Sequence, residues 1–331
     1  LSTVAVVILN YNGEHFLRQF LPAVIEYSNE AEIIVADNAS TDQSITILTK
    51  EFPTVRLIQL KNNFGFCGGY NRALQEVNAD YYVLLNSDVE VTALWLQPVV
   101  QFLDNNLNVA AVQPKIKSFH NKEYFEYAGA AGGFIDSLGY PFCRGRIFDE
   151  LEKDLGQYND TKEIFWATGA CMVVRSKLYH QLGGLDEDFF AHMEEIDLCW
   201  RLKRQGHSIY YVGDSTVYHV GGGTLAKVNP KKTYLNFRNG LSLLIKNLTF
   251  SALLWKLPFR VMLDYVAALR FLLTGQGKHA WAIVCAHGDV FFVKLGSTLS
   301  KRTSSHNPRL TGIYSGLLIW QHFIEKRKPS I

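Results

Sequence analysis

The five cysteines of this 331-residue chain, Cys67, Cys143, Cys171, Cys199 and Cys285, include no C-x-x-C pair and none spaced closely with histidines. Neither a zinc knuckle nor a disulfide framework is suggested, and a reducing cytoplasm is the expected setting. G-x-G-x-x-G is also missing: only Gly13 follows the first apolar run, which argues against a dinucleotide-dependent dehydrogenase. A nucleotidyltransferase would carry a glycine-rich, basic loop at that place, where this chain has Asn12-Gly13-Glu14. Internal repeats and low-complexity tracts are absent. The opening run, 1–9, is apolar but short and without a basic flank, so it reads as a first strand and not as a signal peptide.

Net charge is nearly absent too, at +2, but its distribution is uneven. Residues 231–331 hold 15 Lys and Arg against Asp264, Asp289 and Glu325, a net of +12, which leaves −10 for residues 1–230. A basic, apolar final third on an acidic body predicts contact with an anionic surface, either phospholipid headgroups or a phosphate-bearing lipid. No nucleic-acid partner is expected. The helices of 233–300 are rich in Leu, Phe and Trp. Lys256, Arg260, Asp264, Arg270, Lys278, Asp289 and Lys294 interrupt every stretch approaching the roughly 20 residues that span a bilayer. At 100° per residue, Lys256, Arg260 and Arg270 fall within about 80° of one another, opposite a broad apolar face, the pattern of a helix lying in a membrane interface. A helical subdomain packed on the rest of the chain would give the same composition.

Short β-branched runs at 4–9, 32–36, 55–60, 81–85 and 109–112 alternate with helical patterns. The first helix places Phe16, Leu17, Phe20, Leu21, Val24 and Ile25 on one face, the second follows an Asp42 cap, and a third follows Gly68-Gly69. This order predicts an α/β fold with a mostly parallel sheet covered on both faces and ligands at the C-terminal strand ends. From Pro114 to about Glu163 the pattern loosens into a glycine- and aromatic-rich insertion. Order returns as a strand at 168–174, helices at 176–182 and 194–205, and strands at 208–212 and 215–218.

Each early strand ends in polar residues: Asn10-Tyr11-Asn12-Gly13, Asp37-Asn38-Ala39-Ser40-Thr41-Asp42, Asn62-Asn63 and Asn86-Ser87-Asp88. One such end alone would be an Asx-type turn; four converge on one crevice. Asp37 can accept hydrogen bonds from a base or ribose, and Tyr11 can stack near the base. The run from Asn63 through Gly68, Gly69 and Asn71 leads into a helix whose N-terminus favours phosphate. Asp88 lies where a buried carboxylate calls for a cation, and Mg²⁺ or Mn²⁺ shared with two phosphate oxygens would satisfy it and stabilise a departing nucleoside diphosphate.

Together these segments resemble inverting glycosyltransferases of family 2 with the GT-A fold, especially their rhamnosyltransferase-like branch. The resemblance covers about residues 3–245. It rests on Leu9-Asn10-Tyr11-Asn12-Gly13, Val35 through Asp42, Asn63-Phe64-Gly65-Phe66 with Gly69 and Asn71, Leu85-Asn86-Ser87-Asp88, Trp166-Ala167-Thr168-Gly169-Ala170, and Phe189 through Arg201. It implies a Rossmann-like catalytic domain over 1–230, with a nucleotide-sugar half (1–113) and an acceptor half (114–230), followed by a helical extension over 231–331. It implies that Asn10, Tyr11, Asn12, Asp37, Asn38, Ser40, Asn63, Gly69, Asn71, Asn86, Ser87 and Asp88 bind the nucleotide sugar, and that Trp166, Thr168, Gly169 and Asp197 meet the acceptor. Asp88 would be the metal-binding acid of a D-x-D motif whose first acid is here Asn86, and His219 a further metal ligand. Glu195, in place of the usual Asp of an E-D-x-D stretch, would be the base, with Glu194 its rival. Asp197 could instead pair with Arg201 one turn on. The donor implied is dTDP-rhamnose or a UDP- or GDP-sugar, and the acceptor a saccharide or lipid-linked glycan at the inner face of the cell membrane. A binding module without turnover would not need the acidic pair Glu194 and Glu195.

Overall fold

The structure, a computed structural model, describes residues 2–221, 229–302 and 310–327. The chain forms two compact units, one of Leu1–Phe134, Phe142–Phe190 and Glu194–Gly221, the other of Ile135–Pro141, Ala191–Met193 and Gly222–Ile331.

The first unit begins with alternating elements: β1 (Val4–Asn10), α1 (Glu14–Tyr27), β2 (Glu32–Asp37), α2 (Ser44–Glu51), β3 (Arg56–Gln59), α3 (Gly65–Leu74) and β4 (Tyr81–Asn86). It continues through β5 (Val89–Val91), α4 (Gln97–Asn105) and β6 (Val109–Ser118), then four short strands, β7 (Gly133–Asp136), β8 (Pro141–Cys143), β9 (Arg146–Ile147) and β10 (Glu150–Leu151), of which Ile135, Asp136 and Pro141 are counted with the second unit. β11 (Thr161–Ile164), β12 (Cys171–Arg175), α5 (Ser176–Gln181), α6 (Glu194–Arg204) and β13 (Ser208–His219) complete it. The large sheet runs β11-β13-β6-β12-β4-β1-β2-β3, with β5 on β13. β1, β2, β3 and β4 are parallel, while β12 runs antiparallel between β4 and β6. Val6, Ile8, Val83 and Leu85 on the sheet pack with Leu17 and Leu21 of α1 and Val99 and Leu103 of α4. Such continuous apolar strands are what a sheet covered on both faces needs.

Three departures from the sequence reading have local causes. β6 continues through Pro114 to Ser118 because β13 pairs alongside it. The two strands expected at 208–212 and 215–218 are one, β13, with an irregularity between Val212 and Thr216. α3 starts at Gly65, so Gly68 and Gly69 lie inside it, buried. Asp42 does bond the amide of Ser44 at the start of α2, at 3.0 Å, and ties that turn to the amide of Glu14 as well.

The second unit is helical: α7 (Pro230–Asn247), α8 (Phe250–Leu273), and a continuous rod of α9 (Gly277–Gly288), a π-helical segment (Asp289–Lys294) and α10 (Leu295–Ser300). β14 (Ile313–Tyr314) pairs with Ile135 and Asp136, and α11 (Leu318–Trp320) follows. Asn229 and Thr249 cap α7 and α8, as their side-chain oxygens equip them to do. Contrary to expectation, the rod Gly277–Ser300 is long and apolar enough to cross a membrane by length and composition, although a third of its most apolar stretch is buried in the protein. Arg260 is a second correction. Asp264 one turn on draws it inside at 2.9 Å, and Tyr140 and His287 bond the same carboxylate at 2.9 and 3.2 Å. It therefore does not share an outer basic face with Lys256 and Arg270. Arg309 and Lys328, part of the basic count, lie outside the described residues.

Candidate active site

Parallel register brings the polar ends of β1, β2 and β4 together: Asn10 lies opposite Asp37, and Leu9 opposite Asn86. Asn10, buried, donates through Nδ2 to Asp37 Oδ2 at 3.0 Å and to Ser40 Oγ at 3.2 Å, while its Oδ1 has no partner. The backbone amide of Ser40 donates to Asp37 Oδ1 at 2.9 Å. Asn12, with φ of 51°, receives the amide of Thr41 at 2.7 Å and gives its own to Ser40 Oγ at 2.9 Å. These bonds fix the two loops on each other and hold Asp37 with each oxygen already carrying one donor. Asn38 joins the next loop, donating to Asn63 Oδ1 and the Gly65 carbonyl, each at 3.0 Å, and accepting from the amide of Phe64. Tyr11, at the mouth, is half exposed.

Gly69 and Asn71 have structural surroundings. A Cβ on Gly69 would lie 2.7 Å from Leu9 Cδ1, so the glycine permits α3 to close on β1 and does not sit at a helix N-terminus. Asn71 accepts from Tyr179 Oη and the Leu185 amide and donates to the Leu185 carbonyl, at 2.7 to 2.9 Å, stapling two segments.

Beyond Asn86 and Ser87, which are half-buried, Asp88 is buried with Oδ1 3.2 Å from His219 Nε2. Glu126 Oε2 lies 3.1 Å from His219 Nδ1 and also accepts from the amide of Ala128. Burial opposes charge on the imidazole, but the hydrogen bonds to Asp88 and Glu126 outweigh it and push its pKa up to about 10. Burial likewise opposes charge on both carboxylates, and His219 holds each below its usual value. Gly221 turns over this row with φ of 73°, and a Cβ there would come 2.5 Å from Glu126 Oε1. The donor set suits a divalent cation. One carboxylate oxygen and one imidazole nitrogen converge, and a second carboxylate orients the ring from behind. Among the described residues no third ligating side chain joins them. Sequence reasoning missed Glu126: it lies in the loose insertion, 93 residues from His219, and no spacing signals the pair.

The acidic pair opens α6. Three of the four preceding residues, Phe190, His192 and Met193, carry positive φ of 64–75°, strain that non-glycine backbones bear where geometry is demanded. Glu194 is buried, and burial, then repulsion from Glu195, raises its pKa well above the ordinary carboxyl value. Glu195 is less buried, and its Cβ lies 4.0 Å from where a Cβ on Gly169 would stand, with the Phe66 ring 3.2 Å from that same point. The Phe190 ring covers Gly65 at the start of α3. The remaining acceptor candidates have internal partners. Trp166 Nε1 donates to the Phe134 carbonyl at 2.9 Å, the buried Thr168 accepts from Ala170 at 3.2 Å, and Asp197 is fully buried against Arg201 Nε at 2.7 Å. For Asp197 the pairing alternative is the one the structure contains.

The sequence profile of Glycosyl transferase family 2 matches residues 5–183. The low-salt glycan biosynthesis hexosyltransferase Agl10 of Haloferax volcanii is 24% identical over 63% of this chain and 64% of its own length. The N-acetylglucosaminyl-diphospho-decaprenol L-rhamnosyltransferase of Mycobacterium tuberculosis is 24% identical over 66% of this chain and 76% of its own. Among solved structures, GalNAc-T7 with UDP, GalNAc and Mn²⁺ superimposes with a TM-score of 0.57 and 16% identity over 74% of this chain and 48% of its own. The mannosyltransferase PcManGT of Pyrobaculum calidifontis, in complex with GDP-Man and Mn²⁺, gives 0.55 and 15%, over 88% of each chain. These two likenesses bear on fold alone: the mixed sheet with helices on both sides is the GT-A arrangement.

Proposed function

Since the chain belongs to glycosyl transferase family 2, we propose that it moves a hexosyl group, with inversion, from a nucleoside diphosphate sugar to an acceptor hydroxyl. The observation that carries the reading is the row Asp88–His219–Glu126, set beside the strand ends that hold Asp37. Asp88 Oδ1 and His219 Nε2 would hold Mg²⁺ or Mn²⁺ once Nε2 has released its proton to solvent, with Glu126 fixing the imidazole through its Nδ1–H. The ion, when bound, supplies positive charge to the leaving diphosphate. The names of the solved neighbours, which contain Mn²⁺ with UDP or GDP-Man, support a divalent metal and a nucleotide sugar.

Asp37, preset by Asn10 and Ser40, receives the nucleoside, with Tyr11 free to stack at the mouth. The acceptor hydroxyl gives its proton to Glu195. Two adjacent carboxylates cannot both ionise cheaply, so the more buried Glu194 keeps its proton and leaves Glu195 as the base. The acceptor proposed is lipid-linked or part of a growing surface polysaccharide, in keeping with the decaprenol-linked substrate in the mycobacterial relative's name, and the place of action is the cytoplasmic face of an anionic membrane.

Transfer from a panel of dTDP-, UDP- and GDP-sugars with Mn²⁺ or Mg²⁺ tests this. Asp88→Ala and Glu195→Gln should each lower kcat/KM by about 10²–10⁴-fold. Undiminished transfer in both variants refutes the assignments.

A further inference from the structure

α8 presents to the outside a stripe that the transfer chemistry does not use: Trp255, Phe259, Met262, Val266, Leu269 and Leu273, each 53–80% exposed. Their spacing alternates between four and three residues, so they form one line about 27 Å long at 1.5 Å per residue. A two-helix seam would carry charges beside such a line. Here the flanks are apolar as well, with Leu254, Tyr265 and Leu272 exposed, so the face is too broad for one partner helix. Beside it an apolar groove of about 390 Å³ opens between Leu253, Leu257 and Val261 of α8 and Phe291 of the π-helical segment.

Charge decides what covers this face. Lys256 lies 5.5 Å from the Trp255 ring, Arg302 5.2 Å from the Phe250 ring, and Arg270 is exposed on α8 itself. Two of the three acids in 231–331 are turned inward, Asp264 fully buried against Arg260 and Asp289 Oδ2 accepting from Tyr234 Oη at 2.7 Å, which leaves the exposed Glu325 as the one outward acid of this stretch against the three cations. A second copy of the same face would bring cations against cations. An anionic phospholipid surface brings phosphates to the cations and hydrocarbon to the stripe.

We propose that the outer face of α8 is the seat on an anionic phospholipid bilayer, with Trp255 and Phe259 inserted among the acyl chains and the neighbouring groove open to one chain. The proposal deepens the membrane placement above and rests on it, but not on the chemistry of transfer. The test uses the full chain with vesicles of phosphatidylglycerol and phosphatidylcholine, and with phosphatidylcholine alone. Wild type should sediment with the anionic vesicles and much less with the neutral ones. Trp255→Ser/Phe259→Ser should bind the anionic vesicles about 100-fold more weakly, about tenfold for each large side chain withdrawn. Trp255→Phe should still bind, yet lose much of the fluorescence quenching caused by brominated acyl chains. Transfer to a water-soluble acceptor, measured without vesicles, should be the same in wild type and both variants and reports separately on the catalytic reading. Equal vesicle binding by wild type and the double variant overturns the proposal. So does unchanged quenching in Trp255→Phe, or a wild-type dimer that the double variant converts to monomer.

Discussion

Replacing Glu126 with alanine removes a carboxylate that touches neither nucleotide nor acceptor in the proposed reaction, yet the effect on the proposed metal centre should be large. In the wild type Glu126 Oε2 takes the Nδ1 side of His219 at 3.1 Å and so aims Nε2 at Asp88. Without it the buried Nδ1 and the amide of Ala128 lose their acceptor. A buried donor left unpaired costs about 1–3 kcal/mol of stability. Loss of the group that orients a ligating imidazole weakens metal binding by about 10–100-fold, which is about 1.4–2.8 kcal/mol. Glu126→Gln retains an acceptor for Nδ1 but no charge, so it should fall between wild type and alanine. Calorimetric titration of Mn²⁺ into protein saturated with a nucleoside diphosphate measures the affinity directly, and thermal melting without metal measures the stability term. If both variants bind Mn²⁺ like wild type while remaining folded, His219 is not a ligand and the centre has been misread.

Two further outcomes follow from buried groups. Because burial and Glu195 raise the pKa of Glu194, the folded chain keeps a proton that the unfolded chain releases above about pH 4.3. The stabilising contribution is therefore complete below that pH and is lost as pH rises toward the folded value. Glu194→Gln should flatten this decline in melting temperature between about pH 5 and 8 while retaining most transfer; an unchanged slope would show that Glu194 is ionised in the fold. Asp197→Ala strands Arg201 in the interior, where its other donors are engaged by the Leu182 and Gly184 carbonyls, and should cost about 3–5 kcal/mol in denaturant unfolding. A loss of under about 1 kcal/mol, as at a surface pair, with acceptor KM raised, would restore the acceptor-binding role.

What the sequence revealed follows the range of the interactions. The first four strands were legible because their β-branched runs and polar ends are local, and Asp197 with Arg201 was legible as a pair because both lie on one helix. Gly68-Gly69 misled because glycine marks both a loop and a helix face pressed on a strand, and only Leu9, about 60 residues away, distinguishes them. Arg260 misled in a related way: helical periodicity placed it with Lys256 and Arg270, while Tyr140 and the Leu138 carbonyl, far back in the chain, draw it inside. Glu126 gave no local signal at all, since its importance comes from β13 returning beside β6.

The path of the chain bears on how such a protein can change over evolutionary time. Ala191, His192 and Met193, just before Glu194, belong with the helical unit, where Asn239 of α7 donates to the Ala191 and His192 carbonyls at 2.8 and 2.7 Å. Residues 135–141 belong to that unit as well. A single recombination near residue 222 would exchange most of the helical unit but leave behind two segments adapted to the old one, one of them leading directly into α6, which carries Glu194 and Glu195. New acceptor specificities in this lineage should therefore arise by point substitution within the whole chain more readily than by exchange of its C-terminal third.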